Sequence, residues 1–470
     1  MPITPFKSLP IRERRSGAIN AYYGPLATLV EGFRSGEFAQ RIRTLSQSND
    51  DDILSALRLL RTIDGTVTIV HGARGCAAAA PFLAATDGGG GEVVSTDLSE
   101  DQSIMGAEEI LRAAIQESYE YFNPQAVFVV TTPIVAINND DVQSVAAELG
   151  AELNIPVVPV YTDGFKSKIG ANGYDIAFHA LAHYLIPRAQ ETRKEQVNLI
   201  TSVEHLEDVR RVADLVSTLR VVPNVFPRSG GVANFARSTG SALSVVLRSE
   251  GRILGEALER EKKVPLRDLG LPIGLFGTSR WLRGVAIALD RSREAERVVL
   301  DRENDLTSLR KERPLEGRRV HISAEVALAV GLSDLVEEFG GRIVGLSLPT
   351  VDKDSVLILE KAYRDHGWDF PVHVADGQPF EQLNILRRTP PDLYLGGWGE
   401  ASQVAREGFP SLCHDAFPLY GYEAVEGLVR RMAGAERQRA FVRRLSGGPA
   451  IYSESWLGKP TNWYIKQEVG

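Results

Sequence analysis

The sequence contains very little sulfur. Its 470 residues include two cysteines, Cys76 and Cys413, and three methionines. Two cysteines exclude a disulfide scaffold, a zinc-ribbon array and an iron–sulfur cluster held by the thiolates of this chain alone. The two cysteines are therefore predicted to be free thiols or metal ligands.

The sequence also lacks a long apolar run and an excess of positive charge. No stretch approaches the roughly 20 apolar residues of a membrane helix, and the N-terminal segment MPITPFKSLPIRERRSG has no apolar run like that of a signal peptide. The formal net charge is −8 at pH 7, which argues against nucleic acid or an anionic membrane as the main partner. We therefore expect a cytoplasmic protein that binds neither nucleic acid nor membrane.

The remaining composition is that of an ordinary globular protein, with 43% apolar and 24% charged residues. Short β-branched runs alternate with amphipathic stretches along the chain. The predicted strands are Thr66–Val70, Ala126–Val130, Val157–Val160, Val197–Ile200, Val320–Ile322, Arg342–Leu346 and Leu393–Leu395. The predicted helices include Asp101–Phe122, Val142–Leu153, Leu206–Leu219 and Ala324–Glu338. This alternation predicts an α/β fold with parallel sheets that are buried on both faces.

The alternation of strands and helices restarts near residues 196 and 317, each time after a charged segment. We predict three Rossmann-like, doubly wound parallel-sheet domains over residues 1–195, 196–316 and 317–428, followed by a tail at 429–470. The first domain includes an N-terminal extension. No GxxxxGK[ST] loop and no GxGxxG turn follows a predicted strand, so the chain is not expected to bind ATP or a dinucleotide itself.

The most informative local pattern is Thr66–Ala80, TVTIVHGARGCAAAA, in which a strand leads through two glycines to Cys76. Cys76 is placed at the start of an alanine-rich helix, where the helix dipole favours the thiolate, the form that binds metals. Gly72 and Gly75 would allow a bulky cluster or another backbone to come close. A small buried cysteine explains the local pattern equally well, and His71 is better explained as a capping or core residue.

Two further segments follow predicted strands. In Ser95–Leu111, STDLSEDQSIMGAEEIL, the pair Ser99 and Gln102 fits a capping box at a helix start. In Ala126–Val142, AVFVVTTPIVAINNDDV, the polar turn Asn139–Asp141 offers candidate helix caps.

A fourth segment, Pro156–Leu185, predicts a strand, a glycine-rich loop and a helix. His179 and His183 lie four residues apart on that helix, a spacing that can bind a metal. No H-E-x-x-H carboxylate accompanies them, so a packed or solvated helix face is the favoured interpretation.

Together, HGARGC, STDLSEDQSIMGA, TTPIVAINNDDV and VPVYTDGF resemble four motifs of the nitrogenase component 1 superfamily. The family motifs read HGPxGC, STDLxExDxIxGG, TTCxxxIxGDDV and VPVxxxGF, in the same order and with similar spacing. The resemblance is specific over residues 66–185 and continues more weakly through Leu271–Leu282 and Phe417–Leu428. It implies three Rossmann-like domains, in agreement with the alternation of strands and helices.

The departures from the family motifs concern the cluster ligands. In the family's β-type subunits, three cysteines bind a shared cluster. Here Cys76 matches the second cysteine, Pro133 replaces the third, and Tyr22 or Tyr23 lies near the position of the first. The resemblance therefore implies an iron–sulfur cluster, [4Fe–4S] or P-cluster-like, that is shared with a partner subunit and contacted here by Cys76 and the adjacent Gly75.

The resemblance also bears on the type of subunit. In α-type subunits a cysteine of the second domain anchors the active-site cofactor, and residues 196–316 contain no cysteine. His414 precedes the Gly421–Tyr422 turn by a spacing closer to that of β-type chains. For the neighbouring Cys413 a buried structural role is favoured. These features imply a β-like, non-catalytic subunit of an α₂β₂ heterotetramer, and no catalytic residue is predicted on this chain.

In this family a separate P-loop iron–sulfur ATPase binds ATP, docks over the shared cluster and donates electrons, and the α-type partner reduces the substrate. By resemblance, a surface near Cys76 and the turn of Asn139, Asp140 and Asp141 are the candidate docking contacts. Helix capping is the alternative role of the three turn residues.

The missing cysteines disfavour dinitrogen fixation. A low sulfur content suits a protein made when sulfur is scarce, and codon usage is the alternative explanation. The leading hypothesis is therefore a methylthio-alkane reductase, an oxidoreductase of sulfur metabolism that releases methanethiol from small methylthio compounds. The alternatives are a scaffold for cofactor maturation, a tetrapyrrole-type reductase subunit, and a non-enzymatic binding protein that has lost its cluster.

Overall fold

The computed structural model describes residues 17–36, 41–43, 51–78, 90–164, 171–187, 193–375, 377–446 and 452–467. The described chain divides into two compact units. The first unit is drawn from Asp50–Leu269 and Val285–Arg291, and the second from Gly17–Asn49, Gly270–Gly284 and Ser292–Gly470.

The first unit contains a four-stranded parallel sheet, called here the first sheet. Its strands lie in the order Glu92–Ser95, Thr66–His71, Ala126–Thr131 and Val157–Val160. One face packs against helices Asp52–Leu60 and Asn172–Tyr184, and the other against Glu108–Phe122 and Val142–Leu153. Because both faces are covered, the central strands are buried throughout, which explains their nearly continuous β-branched sequence.

The first unit also contains a second parallel sheet. Its strands lie in the order Leu266–Asp268, Ser241–Val246, Arg193–Ile200 and Val222–Phe226. Its helices are Leu206–Ser217, Val232–Arg237 and Arg252–Lys262, and a short parallel pair joins Gly230–Gly231 to Ile63–Asp64. One apolar cluster includes residues of both sheets, such as Val130 and Val246. The two sheets of this unit therefore share a core.

The second unit contains a six-stranded sheet, called here the third sheet. Its strands lie in the order Ala21–Pro25, Pro371–Ala375, Arg342–Leu348, Arg319–Ser323, Leu393–Gly396 and Ser411–Cys413. Five strands are parallel, and the edge strand Ala21–Pro25 is antiparallel to its neighbour. A separate antiparallel pair joins Arg41–Arg43 to Ile465–Gln467.

Helices cover the third sheet and form the rest of the second unit. They are Leu26–Ser35, Ser292–Glu312, Val326–Glu338, Ser355–His366, Pro379–Arg388, Trp398–Arg406, Tyr422–Gly434, Arg439–Leu445 and Glu454–Leu457. The helix Gly274–Leu289 connects segments of the chain assigned to the two units. The short 3₁₀ helices are Ser238–Gly240, Ser249–Gly251, His414–Ala416, Ala435–Gln438 and Thr461–Tyr464.

The predicted α/β fold with Rossmann-like parallel sheets is confirmed, and each predicted strand is present. The prediction of one helix over Asp101–Phe122 was wrong, because the segment forms two helices, Glu100–Met105 and Glu108–Phe122. Gly106 separates them at φ +93°, a conformation that ends a helix and that favours glycine.

The division into domains at 1–195, 196–316, 317–428 and 429–470 stays a prediction. The boundary at 195 lies inside the strand Arg193–Ile200, and the boundary at 428 lies inside the helix Tyr422–Gly434. In the part of the chain that the structure describes, no helix is both long and apolar enough to cross a membrane.

Candidate functional site

Cys76 lies in a turn beyond the carboxyl end of the central strand Thr66–His71, the edge at which open α/β sheets bind ligands. Its N–H donates to the Ala73 carbonyl at 3.0 Å, and Ala78 N–H donates to the Gly75 carbonyl at 3.0 Å. The thiol is free and half-buried, and it packs against the core of the first unit. The alanine-rich helix predicted after Cys76 falls largely on residues 79–89, outside the described residues.

The two glycines of this loop have different surroundings. Gly75 adopts φ +96°, and a Cβ added there would meet no atom of the described residues within 4 Å. The described part of the chain therefore leaves room next to Cys76. A Cβ added to Gly72 would lie 2.2 Å from Thr132 Oγ1, so this glycine is needed for the close approach of Thr132.

His71 is a fully buried side chain at the end of the same strand. Its Nδ1 lies 3.2 Å from Thr96 Oγ1, and its carbonyl accepts from Thr132 Oγ1 at 2.8 Å. Its Nε2 lies 3.5 Å from Asp140 Oδ2. Burial lowers the pKa of His71 to about 4, so the imidazole is neutral at pH 7.

The turn Asn139–Asp141 follows the neighbouring strand Ala126–Thr131. Asn139 ends the short helix Pro133–Asn138 at φ +57°. Asp141 caps the helix Val142–Leu153 by accepting from Ser144 N–H at 3.0 Å, and hydrogen bonds from Ser144 lower the pKa of this carboxyl group. Asp141 thus caps the helix start as predicted from the sequence, whereas Asn139 is the C-cap of the preceding short helix.

Asp140 has a different environment from its two neighbours. Its side chain is only 4% exposed, and burial raises the pKa of its carboxyl group while a hydrogen bond from the Ala107 backbone opposes the rise. The structure therefore brings Asp140 and His71 together at the edge that carries Cys76. No local pattern indicates this contact, because its partners lie far apart in the sequence.

The capping box predicted at Ser99 and Gln102 is confirmed, since each side chain accepts from the backbone N–H of the other residue. The helix that begins there, Glu100–Met105, contacts the short helix Pro133–Asn138. Three large apolar side chains on these two helices are exposed, by 75% for Ile104, 83% for Met105 and 73% for Ile137. These three residues are called here the apolar patch.

The segment around the apolar patch is strongly acidic. Residues 97–153 contain eleven aspartates and glutamates, all exposed except Asp140, and a single basic residue, Arg112. Arg112 is itself paired with Glu148 and lies 3.7 Å from Glu109. The surface of this segment is therefore suited to a partner with a basic and partly apolar surface.

No group of three or more His, Cys, Asp or Glu side chains is placed to hold a metal ion among the described residues. The rings of His179 and His183 lie parallel with centroids 6.5 Å apart, and burial lowers the pKa of His179. In the part of the chain that the structure describes, the thiol donor at this edge is Cys76. Such a site fits one corner of an iron–sulfur cluster whose other ligands come from another chain.

Tyr22 and Tyr23 lie on the edge strand Ala21–Pro25 of the third sheet. Tyr22 is buried and its hydroxyl donates to the Pro25 carbonyl at 2.8 Å, while the Tyr23 ring lies edge-on to His373 with centroids 6.4 Å apart. Both tyrosines belong to the second unit, whereas Cys76 belongs to the first.

Cys413 and His414 lie at the carboxyl end of the edge strand Ser411–Cys413. Cys413 is half-buried, and burial raises the pKa of its thiol. His414 is buried, with Nε2 3.0 Å from the Ser323 carbonyl and Nδ1 2.8 Å from Asp415. Both nitrogens of His414 therefore have protein partners, and the thiol beside it is held in its protonated form.

Residues 52–436 match the family described as Nitrogenase component 1 type Oxidoreductase. The nitrogenase iron-molybdenum cofactor biosynthesis protein NifE of Methanococcus maripaludis is 24% identical over 388 residues, which cover 79% of this chain and 80% of that protein. NifE of Clostridium pasteurianum is 24% identical over 432 residues, or 88% of this chain and 92% of that protein. The nitrogenase molybdenum-iron protein alpha chain of Methanosarcina barkeri is 25% identical over 312 residues, or 62% and 58%.

The solved structure of nitrogenase Cp1 at pH 5 has a similar fold. It superposes with a TM-score of 0.74 at 18% sequence identity and covers 85% of this chain and 91% of that chain. At this level of identity the likeness shows the fold, which is α/β with parallel sheets.

Proposed function

Because the chain belongs to the nitrogenase component 1 type oxidoreductase family, we propose that it is a subunit of a nitrogenase-like complex and supplies Cys76 to a shared iron–sulfur cluster. Members of this family bind iron–sulfur clusters and work in heterotetramers with partner subunits and a separate reductase component. The observation that carries the proposal is the half-buried Cys76 thiol at the ligand-binding edge of the first sheet, where the described residues leave room beside it.

The donor set supports a shared cluster. A cluster needs about four thiolates, and this chain has two cysteines, one in each unit. The partner subunit would therefore supply the remaining ligands. When bound, the cluster would accept electrons from the reductase component and pass them to the partner, and Gly75 would leave room for it beside Cys76.

We assign the chain a β-like role. The support is the absence of cysteine from residues 196–316, where the family's α-type subunits carry a cofactor anchor. One relative is itself named an alpha chain. The assignment therefore rests on the cysteine pattern.

The apolar patch and the acidic residues around it are the proposed docking surface for the reductase component. Ile104, Met105 and Ile137 are exposed on the two helices next to the Asn139–Asp141 turn. Protein–protein interfaces commonly combine an apolar core with a polar rim. A basic ATPase surface would complement the acidic segment 97–153.

The substrate we propose is a small methylthio-alkane. Two electrons and two protons would convert R–S–CH₃ into R–H and CH₃SH, so that the C–S bond is reduced and methanethiol leaves. The low content of cysteine and methionine supports this assignment, because a protein made during sulfur starvation benefits from avoiding both residues.

A second candidate is a scaffold that holds a cofactor precursor during maturation and passes it on without turnover. The relatives favour it, since two of those described above are named cofactor biosynthesis proteins and align over most of their length. The same single-thiol donor set would serve this role.

Iron analysis of the complex tests the shared cluster. The chain would be co-purified anaerobically with its partner subunit, and iron would be counted and observed by electron paramagnetic resonance (EPR). We expect Cys76→Ala to remove most of the cluster signal, because one thiolate ligand is lost. The matched variant Cys413→Ala should retain the signal. Equal iron content in the two variants and the parent protein would refute the role of Cys76.

Product analysis separates the two candidate functions. With the ATPase component, ATP and a reductant, the reductase is expected to release methanethiol from 2-(methylthio)ethanol. A scaffold would release none and would instead transfer its metal cluster to an apo-acceptor protein. An iron-loaded complex that neither releases methanethiol nor transfers its cluster to the acceptor would contradict both functions.

A further inference from the structure

The buried contact between His71 and Asp140 joins the two loops that carry the predicted functional residues of this chain. His71 begins the loop that leads to Cys76, and Asp140 is the middle residue of the turn Asn139–Asp141. Nε2 of the histidine lies 3.5 Å from Oδ2 of the aspartate, and the exposed fractions of the two side chains are 0% and 4%. Neither atom has a hydrogen-bond partner among the described residues, so the two meet as a close polar contact in the protein interior.

The other ring nitrogen of His71, Nδ1, also has a polar neighbour. Nδ1 lies 3.2 Å from Thr96 Oγ1, and the same hydroxyl accepts from Gly72 N–H at 3.0 Å. Because burial keeps the imidazole neutral, only one ring nitrogen carries a proton. If Nε2, which faces Asp140, carries that proton, Nδ1 is the acceptor for the Thr96 hydroxyl, which also lies 3.3 Å from the Gly72 carbonyl.

The His71 side chain is connected to Cys76 through the backbone of one short loop. The Gly72 carbonyl accepts from Leu98 N–H at 3.0 Å, and Cys76 N–H donates to the Ala73 carbonyl at 3.0 Å. The turn that presents the thiol therefore starts two residues after His71. The imidazole itself is linked to this loop through Thr96 Oγ1, which contacts His71 Nδ1 and accepts from Gly72 N–H.

Asp140 is connected in the same way to the exposed surface. Its carboxylate accepts from the Ala107 backbone N–H, at the junction of the two helices that flank Gly106. Its neighbours Asn139 and Asp141 are exposed. A partner that binds to this turn and shifts its backbone would therefore displace Asp140, whose carboxylate contacts His71.

We propose that the contact between His71 and Asp140 transmits displacement of the Asn139–Asp141 turn to the Cys76 loop, so that docking at the turn changes the position and reactivity of the thiol. This inference rests on the proposed function, in which the turn contacts the reductase component and Cys76 binds the cluster. Both residues act through others, so they are positioning residues and not ligands.

A double-mutant cycle on the full chain without a cluster tests the connection. All variants would carry Cys413→Ser, so that Cys76 is the single thiol, and the rate of its alkylation by iodoacetamide would be measured. We expect His71→Ala and Asp140→Ala each to raise the rate by about five-fold, because a half-buried thiol on a loosened loop is more accessible. The double variant should react no faster than the faster single variant, because both changes remove one contact.

Two further variants separate positioning from general destabilisation. Asp140→Asn keeps an acceptor oxygen opposite Nε2 and should react within about two-fold of the parent rate. Glu325→Ala removes a helix cap in the second unit and leaves both loops intact, so it should also stay within that range. Thermal melting would identify a variant that is unfolded, in which case His71→Gln replaces His71→Ala. Single variants that leave the rate unchanged, multiplicative rates in the double variant, or an equal effect of Glu325→Ala would overturn the inference.

The iron-loaded complex distinguishes failure of this inference from failure of the proposed function. We expect Asp140→Ala to shift the EPR spectrum of the cluster at unchanged iron content, and Glu325→Ala to leave the spectrum as it is. A complex without iron would refute the proposed function, whereas the alkylation cycle would still decide whether the contact exists. Iron-loaded complexes with identical spectra would refute the transmission to Cys76 and leave the proposed function standing.

Discussion

At the scale of single residues, buried ionisable side chains set opposing trends of stability with pH. Burial lowers the pKa of His71 to about 4 and that of His321 to about 3, so both are neutral in the folded protein. Their contribution to stability is present above the unfolded value near 6.5 and is lost as the pH falls. Glu338 has the opposite effect, because burial raises the pKa of its carboxyl group to about 7.

Glu338 gives the clearest residue-scale prediction. Its carboxylate accepts from Leu275 and Phe276 N–H at 3.0 and 3.3 Å. A raised pKa means that the contribution of Glu338 is present below about pH 4.5 and is lost as the pH rises through about 7. Compared with Glu338→Gln, the parent protein should therefore lose about 2 kcal/mol of unfolding free energy between roughly pH 5 and pH 8. Urea unfolding at both values measures the difference.

The control for this prediction is Glu426→Gln, which changes an exposed glutamate on the helix Tyr422–Gly434. The difference in unfolding free energy between Glu426→Gln and the parent protein should be nearly the same at both pH values. If the unfolding free energies of Glu338→Gln and the parent protein change equally between the two pH values, Glu338 does not titrate in this range.

The local residue patterns were predictable, and the long-range contacts were not. The capping box of Ser99 and Gln102 and the cap at Asp141 involve residues three apart, so the sequence itself displays them. The contact of His71 with Asp140 depends on two strands lying side by side in the first sheet. No pattern within one segment contains that information.

At the scale of elements, close approach of helices is controlled by single glycines. A Cβ added to Gly173, at the start of the helix Asn172–Tyr184, would lie 2.0 Å from the backbone carbonyl oxygen of Asp52 on the helix Asp52–Leu60. Backbone cannot move aside as a flexible side chain does. The two helices must therefore separate to admit a methyl group.

We predict that Gly173→Ala lowers the free energy of unfolding by about 1–3 kcal/mol, because the two helices pack over one face of the first sheet. Gly427→Ala is the matched control. Gly427 also lies within a helix, and a Cβ there would meet no atom within 4 Å. The control should be neutral or stabilising by up to about 1 kcal/mol. Chemical denaturation measures the unfolding free energy of both variants. Equal effects of Gly173→Ala and Gly427→Ala would show that the close helix contact at Gly173 does not matter for stability.

Most elements could be predicted from their periodicity, and one boundary could not. The helix Val142–Leu153 has the predicted bounds, since its apolar residues recur with helical spacing. The break at Gly106 was missed because the residues on both sides of it favour a helix. The positive φ of this one glycine divides the segment.

At the scale of the whole molecule, the distribution of charge matters more than its sum. The chain has a net charge of −8, and residues 97–153 contain eleven acidic residues against one arginine. The excess of acid is thus concentrated in the segment that carries the proposed docking surface. Electrostatic attraction over such a surface is weakened by salt, since the Debye length is about 10 Å at 0.1 M ionic strength.

We predict that ATP-dependent electron delivery to the complex slows several-fold between roughly 0.05 and 0.5 M NaCl, through weaker association with the reductase component. The paired variant Glu108→Gln and Glu109→Gln should reduce this salt dependence. The control pair Asp301→Asn and Asp305→Asn removes two exposed acids from the helix Ser292–Glu312 and should leave it unchanged. The rate of electron delivery would be measured by stopped flow over a series of NaCl concentrations. If the rate falls equally with salt for the parent protein and both paired variants, the acidic segment is not the docking surface.

The sequence by itself determined the α/β class, the parallel sheets, the family and the single thiol at the edge of the first sheet. These features depend on periodicity and short motifs, which are local and survive in a linear chain. Only the tertiary structure decided that Asp140 faces His71, that Gly72 admits Thr132, and that Ile104, Met105 and Ile137 remain exposed. Strand order and packing bring distant segments together, and burial on folding distinguishes an apolar core residue from an apolar surface residue of the same type.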